Sequence, residues 1–451
     1  MQSTDIKNDP KLISSSIKYA KWVNKVSESE IRRLLRFSPR YYFAGGQPGI
    51  IPVKTFHKII RQILDKEEEF LEENNVKMLN NYIYGMTEGS PRLREVLAKR
   101  LQSRDKLKNI TPSMVTITTG SQQMLYSICD SLLNPGDIVI AARPTYLGFV
   151  QPAEKLGGRI LTLPSDDRGI IPEYIPIAFE ASIKKFGKKP KLLYCVPYSD
   201  NPKGTTLTLA RKKAILDYAY DLDFLILEDA AYKEIQFDST EYTPIKKQDH
   251  DNDRVAYVST STKEAAAFRI GYSVLPSDLK DAIIKAKGFY DLCSSEWVQS
   301  ILTIYYEEFI DTLLPQIRQS YRKRRDAMLD AVDSFLQGHS TRPTGGFFLW
   351  YEVNDLTFDS SRFIQKCIQN DVMYVPGAAF YPKFGFNLST DGSLNRSIPK
   401  FNSLRLGYSL LEPMEITKGI ECLGSLIKNH IKDNKDKRLT QSSSFFSSLY
   451  Y

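Results

Sequence analysis

The run Phe224-Leu225-Ile226-Leu227 ends in two acids, Glu228 and Asp229, and Tyr232 follows three residues after the second acid. A run this short and apolar reads as a strand buried on both faces of a parallel sheet. Asp229 then stands at the strand's carboxyl end, the usual place for a ligand in an open α/β sheet, and a carboxylate buried there needs a cationic partner. A second candidate group follows the strand Val255–Thr260: the loop from Ser261 to Tyr272 carries Lys263 and Arg269, with Thr260 and Thr262 supplying hydroxyls. A third is Thr119-Gly120-Ser121-Gln122-Gln123, between a β-branched run and the apolar segment Met124–Leu133. Strand, glycine turn and helix N-terminus together make an anion site, with free N–H groups and the helix dipole facing outward at Ser121 and Gln122. Tyr146 follows another strand, where a ring can stack on a flat heterocycle. Asn201, in an Asn-Pro turn, leaves an amide at the sheet edge. Tyr84 sits in a glycine-hinged loop, and Arg405 lies inside the late strand Leu404–Tyr408. Taken singly, each has an ordinary reading: a solvated strand end, a basic turn, a loop plug, a satisfied surface charge.

The elements that must position these residues alternate. Strands at 115–118, 138–141, 191–197, 224–229 and 255–260 are separated by helical stretches, one of them starting at a plausible N-cap, Thr208. This is the pattern of an α/β layer with a mainly parallel, doubly wound sheet covered by helices. Later short strands at 347–351, 372–375 and 404–408 lie among helices and suggest a smaller α+β domain. Tyr305–Phe335 reads largely as helix, kinked at Pro315. The expected division is 1–55 as an N-terminal arm and loop packing with the small domain, 56–315 as the large domain, 316–431 as the small domain, and 432–451 as a charged, Ser-rich disordered tail.

Composition narrows the classes. A formal net charge of +8 over 451 residues is modest, and no basic cluster is interleaved with aromatics, so no nucleic-acid partner is expected. Cys129, Cys195, Cys293, Cys367 and Cys422 are scattered, odd in number and without CxxC spacing, as in a cytoplasmic protein with reduced thiols. The four histidines are dispersed, and no metal is expected. No apolar run is long enough to span a bilayer, and the N-terminus has no signal-peptide core.

In order and spacing, seven of these segments resemble one family: Tyr84-Gly-x-Thr-x-Gly89, Thr119-Gly-Ser-Gln-Gln123, Pro144-Thr-Tyr146, Asn201-Pro-x-Gly204, Glu228-Asp-x-x-Tyr232, Arg269-x-Gly271 and Leu404-Arg-Leu406. The chain from about Phe43 to Leu426 resembles the pyridoxal phosphate-dependent aminotransferases of class I and II, of fold type I. The resemblance implies that 56–315 binds pyridoxal 5'-phosphate, with Asp229 paired to the ring nitrogen. Tyr232 and Asn201 would hydrogen-bond the phenolic oxygen and Tyr146 would stack on the ring. Ser121, Gln122, Thr260, Thr262 and Arg269 would hold the cofactor. Tyr84 would reach the phosphate of the neighbouring subunit in a homodimer whose active sites lie at the subunit interface. Arg405 would clamp the substrate α-carboxylate, beside Asn201 and Gly46.

One segment departs from the family pattern. Lys263 lies six residues before Arg269, one fewer than in the family's Ser-x-Ser-Lys loop, and Ala265-Ala266-Ala267-Phe268 replaces the usual Pro-Gly. Aligned on Arg269, Thr262 falls on the lysine position; aligned on the lysine, Thr260 and Thr262 take the two serine positions. Either the loop is shortened and Lys263 is the Schiff-base lysine, or the lysine is lost and the chain is a degenerate or regulatory relative. With Lys263 working, the resemblance implies ping-pong transfer of an amino group from an L-amino acid to a 2-oxo acid, 2-oxoglutarate being the expected acceptor. Another reaction at the α-carbon is the rival. The loop at Tyr41, Tyr42, Phe43, Gly45, Gly46 and Gln47 resembles that of aminoadipate, kynurenine and aromatic aminotransferases.

Overall fold

The alternating runs become a nine-stranded sheet in the computed structural model, which describes residues 18–23, 28, 30–34, 36–72, 80–237 and 243–447. In spatial order its strands are Leu394–Arg396, Phe386–Leu388, Arg159–Leu163, Ile138–Ala142, Pro190–Cys195, Leu225–Asp229, Val255–Thr260, Gly271–Val274 and Val115–Thr118. Pairing is parallel from Phe386–Leu388 through Val255–Thr260. Gly271–Val274 runs antiparallel to both of its neighbours.

Successive strand residues face opposite ways, and both faces are covered. Leu192, Tyr194, Leu227 and Val258 pack with Met124, Ile128, Phe149 and Ile283 on one side. Leu193, Cys195, Ile226 and Val255 pack with Ile175, Phe179, Ile215 and Ala219 on the other. That two-sided burial is why these strands read as unbroken apolar runs. The helix Leu209–Leu222 starts as its sequence indicates, Thr208 Oγ1 accepting from the Arg211 N–H at 3.3 Å, a cap that contributes about 1 kcal/mol.

A four-stranded sheet, ordered Gly338–Ser340, Phe348–Val353, Ser403–Gly407 and Val375–Pro376, forms the second layer system. Its core joins Trp350, Leu404 and Leu406 to Met328 and Val332 of the helix Ile310–Phe335 and to Ile416 and Ile420 of the last helix. Tyr41–Tyr42 pairs in parallel with Val372–Met373, which ties the segment before the glycine loop to this half of the chain.

Three features differ from the sequence reading. The strands Phe386–Leu388 and Leu394–Arg396, inside the stretch 316–431 expected to form only the small domain, extend the edge of the large sheet. At three polar-flanked residues each, they are too short to show a period. The last helix runs Pro413–Ser447, so order continues past residue 432, where a disordered tail was expected. The irregular turn near Pro315 is a π-helical one at Tyr305–Phe309; Pro315 itself stands inside Ile310–Phe335. Of the first 25 residues of the arm expected over 1–55, only 18–23 are among those described.

Candidate active site

Asp229 is the last residue of the central strand Leu225–Asp229, and it is 3% exposed. Its Oδ2 accepts from the Tyr194 hydroxyl at 2.9 Å and its Oδ1 from the Ala231 N–H at 3.2 Å. Tyr194 comes from the adjacent parallel strand, its ring stacked on Phe149 at 4.0 Å. Burial pushes the Asp229 carboxyl up to about 6, against the Tyr194 hydrogen bond and the nearby Lys263, which pull it down. A cationic donor at this carboxylate would restore the ion pair that burial opposes.

Asp229 opens onto a cavity of about 240 Å³ that Lys263, Asn201, Tyr232, Tyr146 and Arg405 also line. Lys263 reaches it through a tight loop. Ser261 accepts and donates on either side of the turn: its N–H bonds Ile270 O at 3.0 Å, and its O accepts from Ala265 N–H at 2.8 Å. A 3-10 turn at Ala266–Phe268 and a left-handed Arg269, φ +52°, then return the chain to Gly271. In this way six residues carry the chain from Lys263 to Arg269, with a non-glycine residue in a conformation that costs about 1 kcal/mol. Thr262, which the other alignment would put at the lysine position, is instead buried with its Oγ1 accepting from Thr260 Oγ1 at 3.1 Å. The Lys263 ammonium lies 4.7 Å from the centroid of the Tyr232 ring. Burial pulls this amine down to about 8; Asp229 opposes the shift and Arg269 adds to it.

Beside the cavity the chain makes an anion cradle. Gly120, at φ +75°, precedes the helix Ser121–Leu132, and a Cβ on it would fall 2.7 Å from Arg269 Nη2. The guanidinium thus hangs over the helix N-terminus. Arg269 is exposed and has no hydrogen bond or ion pair to the described residues. Gln122 reaches elsewhere: its Oε1 accepts from the Tyr146 hydroxyl at 3.4 Å, and its Nε2 bonds Gly148 O. The Thr260 hydroxyl is turned to Ile270 O at 3.1 Å.

Arg405 is 1% exposed in the strand Ser403–Gly407. Its Nη1 donates to Asn201 Oδ1 at 2.9 Å and its Nη2 to Ala44 O at 2.8 Å, while Nε is buried without a partner. The guanidinium lies 4.0 Å over the Phe348 ring, and burial pulls it down to about 10, still charged at neutral pH. The Arg405 bond engages Asn201 Oδ1, which leaves Nδ2 as that side chain's donor. Gly46 also lines the cavity, and a Cβ there would meet Phe348 Cζ at 2.8 Å. Tyr84 is not brought to this cavity; it is 84% exposed.

Pyridoxal phosphate fits these groups. A buried acid can meet a protonated ring nitrogen, a cation over a helix N-terminus can meet the phosphate, and the unpartnered Arg405 Nε can meet a carboxylate. Sequence reasoning missed Tyr194, Phe348 and Gly148. Tyr194 is two positions beyond Leu192 on the strand next to Asp229, the one signal that could have found it. Gly148 is glycine because a Cβ there would lie 2.4 Å from the Tyr146 ring.

The family model for aminotransferase class I and II matches residues 52–392. Aromatic-amino-acid aminotransferase 1 of Thermococcus litoralis is 31% identical, over 94% of this chain and 98% of its own. The 2-aminoadipate transaminase of Thermus thermophilus is 27% identical, over 93% and 98%. Among solved structures, kynurenine aminotransferase of Pyrococcus horikoshii superposes with a TM-score of 0.80 at 31% identity, covering 91% of this chain and 97% of that one. The fold and the cavity define a pyridoxal phosphate enzyme of fold type I. The chain belongs to the class I and II aminotransferases, and it transfers amino groups between amino acids and 2-oxo acids. Among the described residues, no helix is long and apolar enough to cross a membrane.

Proposed function

We propose that this aminotransferase takes L-amino acids with aromatic or other long side chains as donors and 2-oxoglutarate as acceptor, working as a homodimer in the cytoplasm. The observation that carries the reading is the convergence of an acid, an amine of lowered basicity and an incompletely partnered guanidinium on one cavity. Flat apolar walls support the donor class: Phe348 and Tyr146 line the cavity, and among the described residues its lining cations are Lys263 and Arg405. Relatives named for aromatic amino acids and kynurenine point the same way. The five free cysteines support a reducing compartment.

When bound, pyridoxal phosphate supplies an electrophilic carbon for the amino group and an electron-withdrawing ring. Asp229 holds a proton on the ring nitrogen, and Tyr194 holds Asp229. Tyr232 and Asn201 Nδ2 donate to the phenolic oxygen. Ser121 N–H and Arg269 take the phosphate, with Gln122 steadying Tyr146 against the ring. Thr260 and Thr262 brace the lysine loop. Arg405 pairs with the substrate α-carboxylate, with Gly46 and its neighbours beside the side chain. Lys263 Nζ removes the α-proton, a task suited to an amine near 8. Tyr84, held out on the surface, reaches the phosphate site of the neighbouring subunit.

The test is a donor panel with 2-oxoglutarate, scoring glutamate against ammonia and carbon dioxide. Glutamate formed with phenylalanine, tyrosine, kynurenine or 2-aminoadipate supports the reading; ammonia or carbon dioxide as the main product overturns it. Arg405→Lys is expected to raise the donor KM about tenfold or more with a smaller change in kcat, because a point charge cannot reproduce the planar fork. Steady-state kinetics with varied donor measures it.

A further inference from the structure

Glu67 lies in the acidic run Asp65-Lys66-Glu67-Glu68-Glu69 of the helix Val53–Glu72, and it alone of these residues is buried, at 7% exposure. Its Oε1 accepts from Asn81 Nδ2 at 2.6 Å and its Oε2 from the Tyr82 hydroxyl at 2.9 Å. Asn81 Oδ1 accepts in turn from the Ser300 hydroxyl at 2.7 Å, and the Tyr82 ring stands edge-on to Trp297 at 6.0 Å. The next glycine, Gly85, lies so close to Glu296 that a Cβ would fall 1.9 Å from its Oε1. The segment 80–85 is thus clamped between two helices. The residues it presents, Ile83 and Tyr84, are 62% and 84% exposed. Burying a carboxylate is costly, and here both of its oxygens hold a short loop whose tip stands exposed among the described residues.

We infer that Glu67 is a positioning residue that acts across the subunit interface: it fixes the loop so that Tyr84 is delivered to the cofactor phosphate of the other subunit. The inference rests on the homodimer reading above. Its distinctive consequence is that a defect at Glu67 appears in the partner's site and not in its own.

The experiment mixes subunits. Glu67→Ala homodimers are expected to bind pyridoxal phosphate about tenfold more weakly than wild type, since only part of the loss at the loop is passed on to the phosphate site it serves. Glu67→Gln keeps the side-chain volume and covers the case in which Glu67→Ala does not assemble; about threefold is expected there. Each variant is then exchanged with Lys263→Ala chains. In a hybrid, the Glu67-variant chain receives Tyr84 from a partner whose Glu67 is intact. Borohydride fixation at limiting cofactor, read by chain mass, is expected to show that chain holding cofactor as wild type does. At limiting cofactor the hybrids should contribute about one quarter of wild-type activity, because half of randomly mixed two-fold dimers are hybrids with one sound site each, and the Glu67-variant homodimers add only their weakened sites. A Glu67-variant chain that stays weak in hybrids overturns the inference and makes Glu67 a brace for its own subunit. Tyr84→Phe mixed with Lys263→Ala separates the two levels. If that pair also gains nothing, the shared-site reading fails; if it recovers and the Glu67 pair does not, only the inference about Glu67 fails.

Discussion

Lys263→Ala is expected to lower turnover about 10⁴-fold, the loss that follows when an enzyme loses the group that both attacks and moves the proton. The cofactor site should survive the change. Asp229 keeps its bonds to Tyr194 and Ala231, and Arg269 still faces the helix N-terminus at Gly120. The variant should therefore still bind pyridoxal phosphate without holding it covalently. Activity within tenfold of wild type would mean that another amine does the work. The same lysine predicts a pH dependence. Its amine sits at about 8, below the ordinary lysine value, so it is mostly protonated below that pH and mostly neutral above it. Covalent uptake of pyridoxal phosphate by the cofactor-free protein should accelerate as pH rises through about 8 and level off above it. An unperturbed lysine would keep accelerating toward about 10.4. Stopped-flow absorbance at a series of pH values measures the midpoint.

Asp229→Asn is expected to lower kcat about 10³-fold at saturating cofactor. Asparagine fills the same space and can still accept from Tyr194, so folding should change little. What it lacks is the negative charge that keeps a proton on the ring nitrogen. Burial has already raised the Asp229 carboxyl to about 6, and a protonated ring nitrogen beside it would pull it back down toward the ordinary carboxylate range. A change in kcat of less than threefold would show that the charge at this position does not carry the reaction. Single-turnover kinetics with a saturating donor isolate the step.

Much of the large sheet was legible because its strands are buried on both faces. Val115–Thr118 and Val255–Thr260 are wholly buried; their sequences are mainly β-branched or apolar, and the first runs into the turn at Gly120. The site residues at strand ends, Ser121, Tyr146, Asn201 and Asp229, were legible for the same reason: the topology puts the carboxyl ends of neighbouring strands together. Tyr194 was not, because a tyrosine inside a buried strand looks like core until the register sets it beside Asp229. Phe348 was hidden likewise, as one more aromatic in Phe347-Phe348-Leu349-Trp350-Tyr351. The path of the shortened loop was illegible, since it depends on a 3-10 turn and on Arg269 taking a left-handed backbone that its residue type does not announce. The two edge strands near Phe386 and Leu394 depend on the neighbouring Arg159–Leu163 strand, and local sequence carries no sign of it.

The most direct measurement is to load the wild-type protein with pyridoxal phosphate, reduce it with borohydride, digest it and map the modified peptide by mass spectrometry. The expected result is a single reduced adduct on the peptide that carries Lys263. An adduct on a different lysine, or none at any lysine, would contradict the assignment of Lys263 as the working amine.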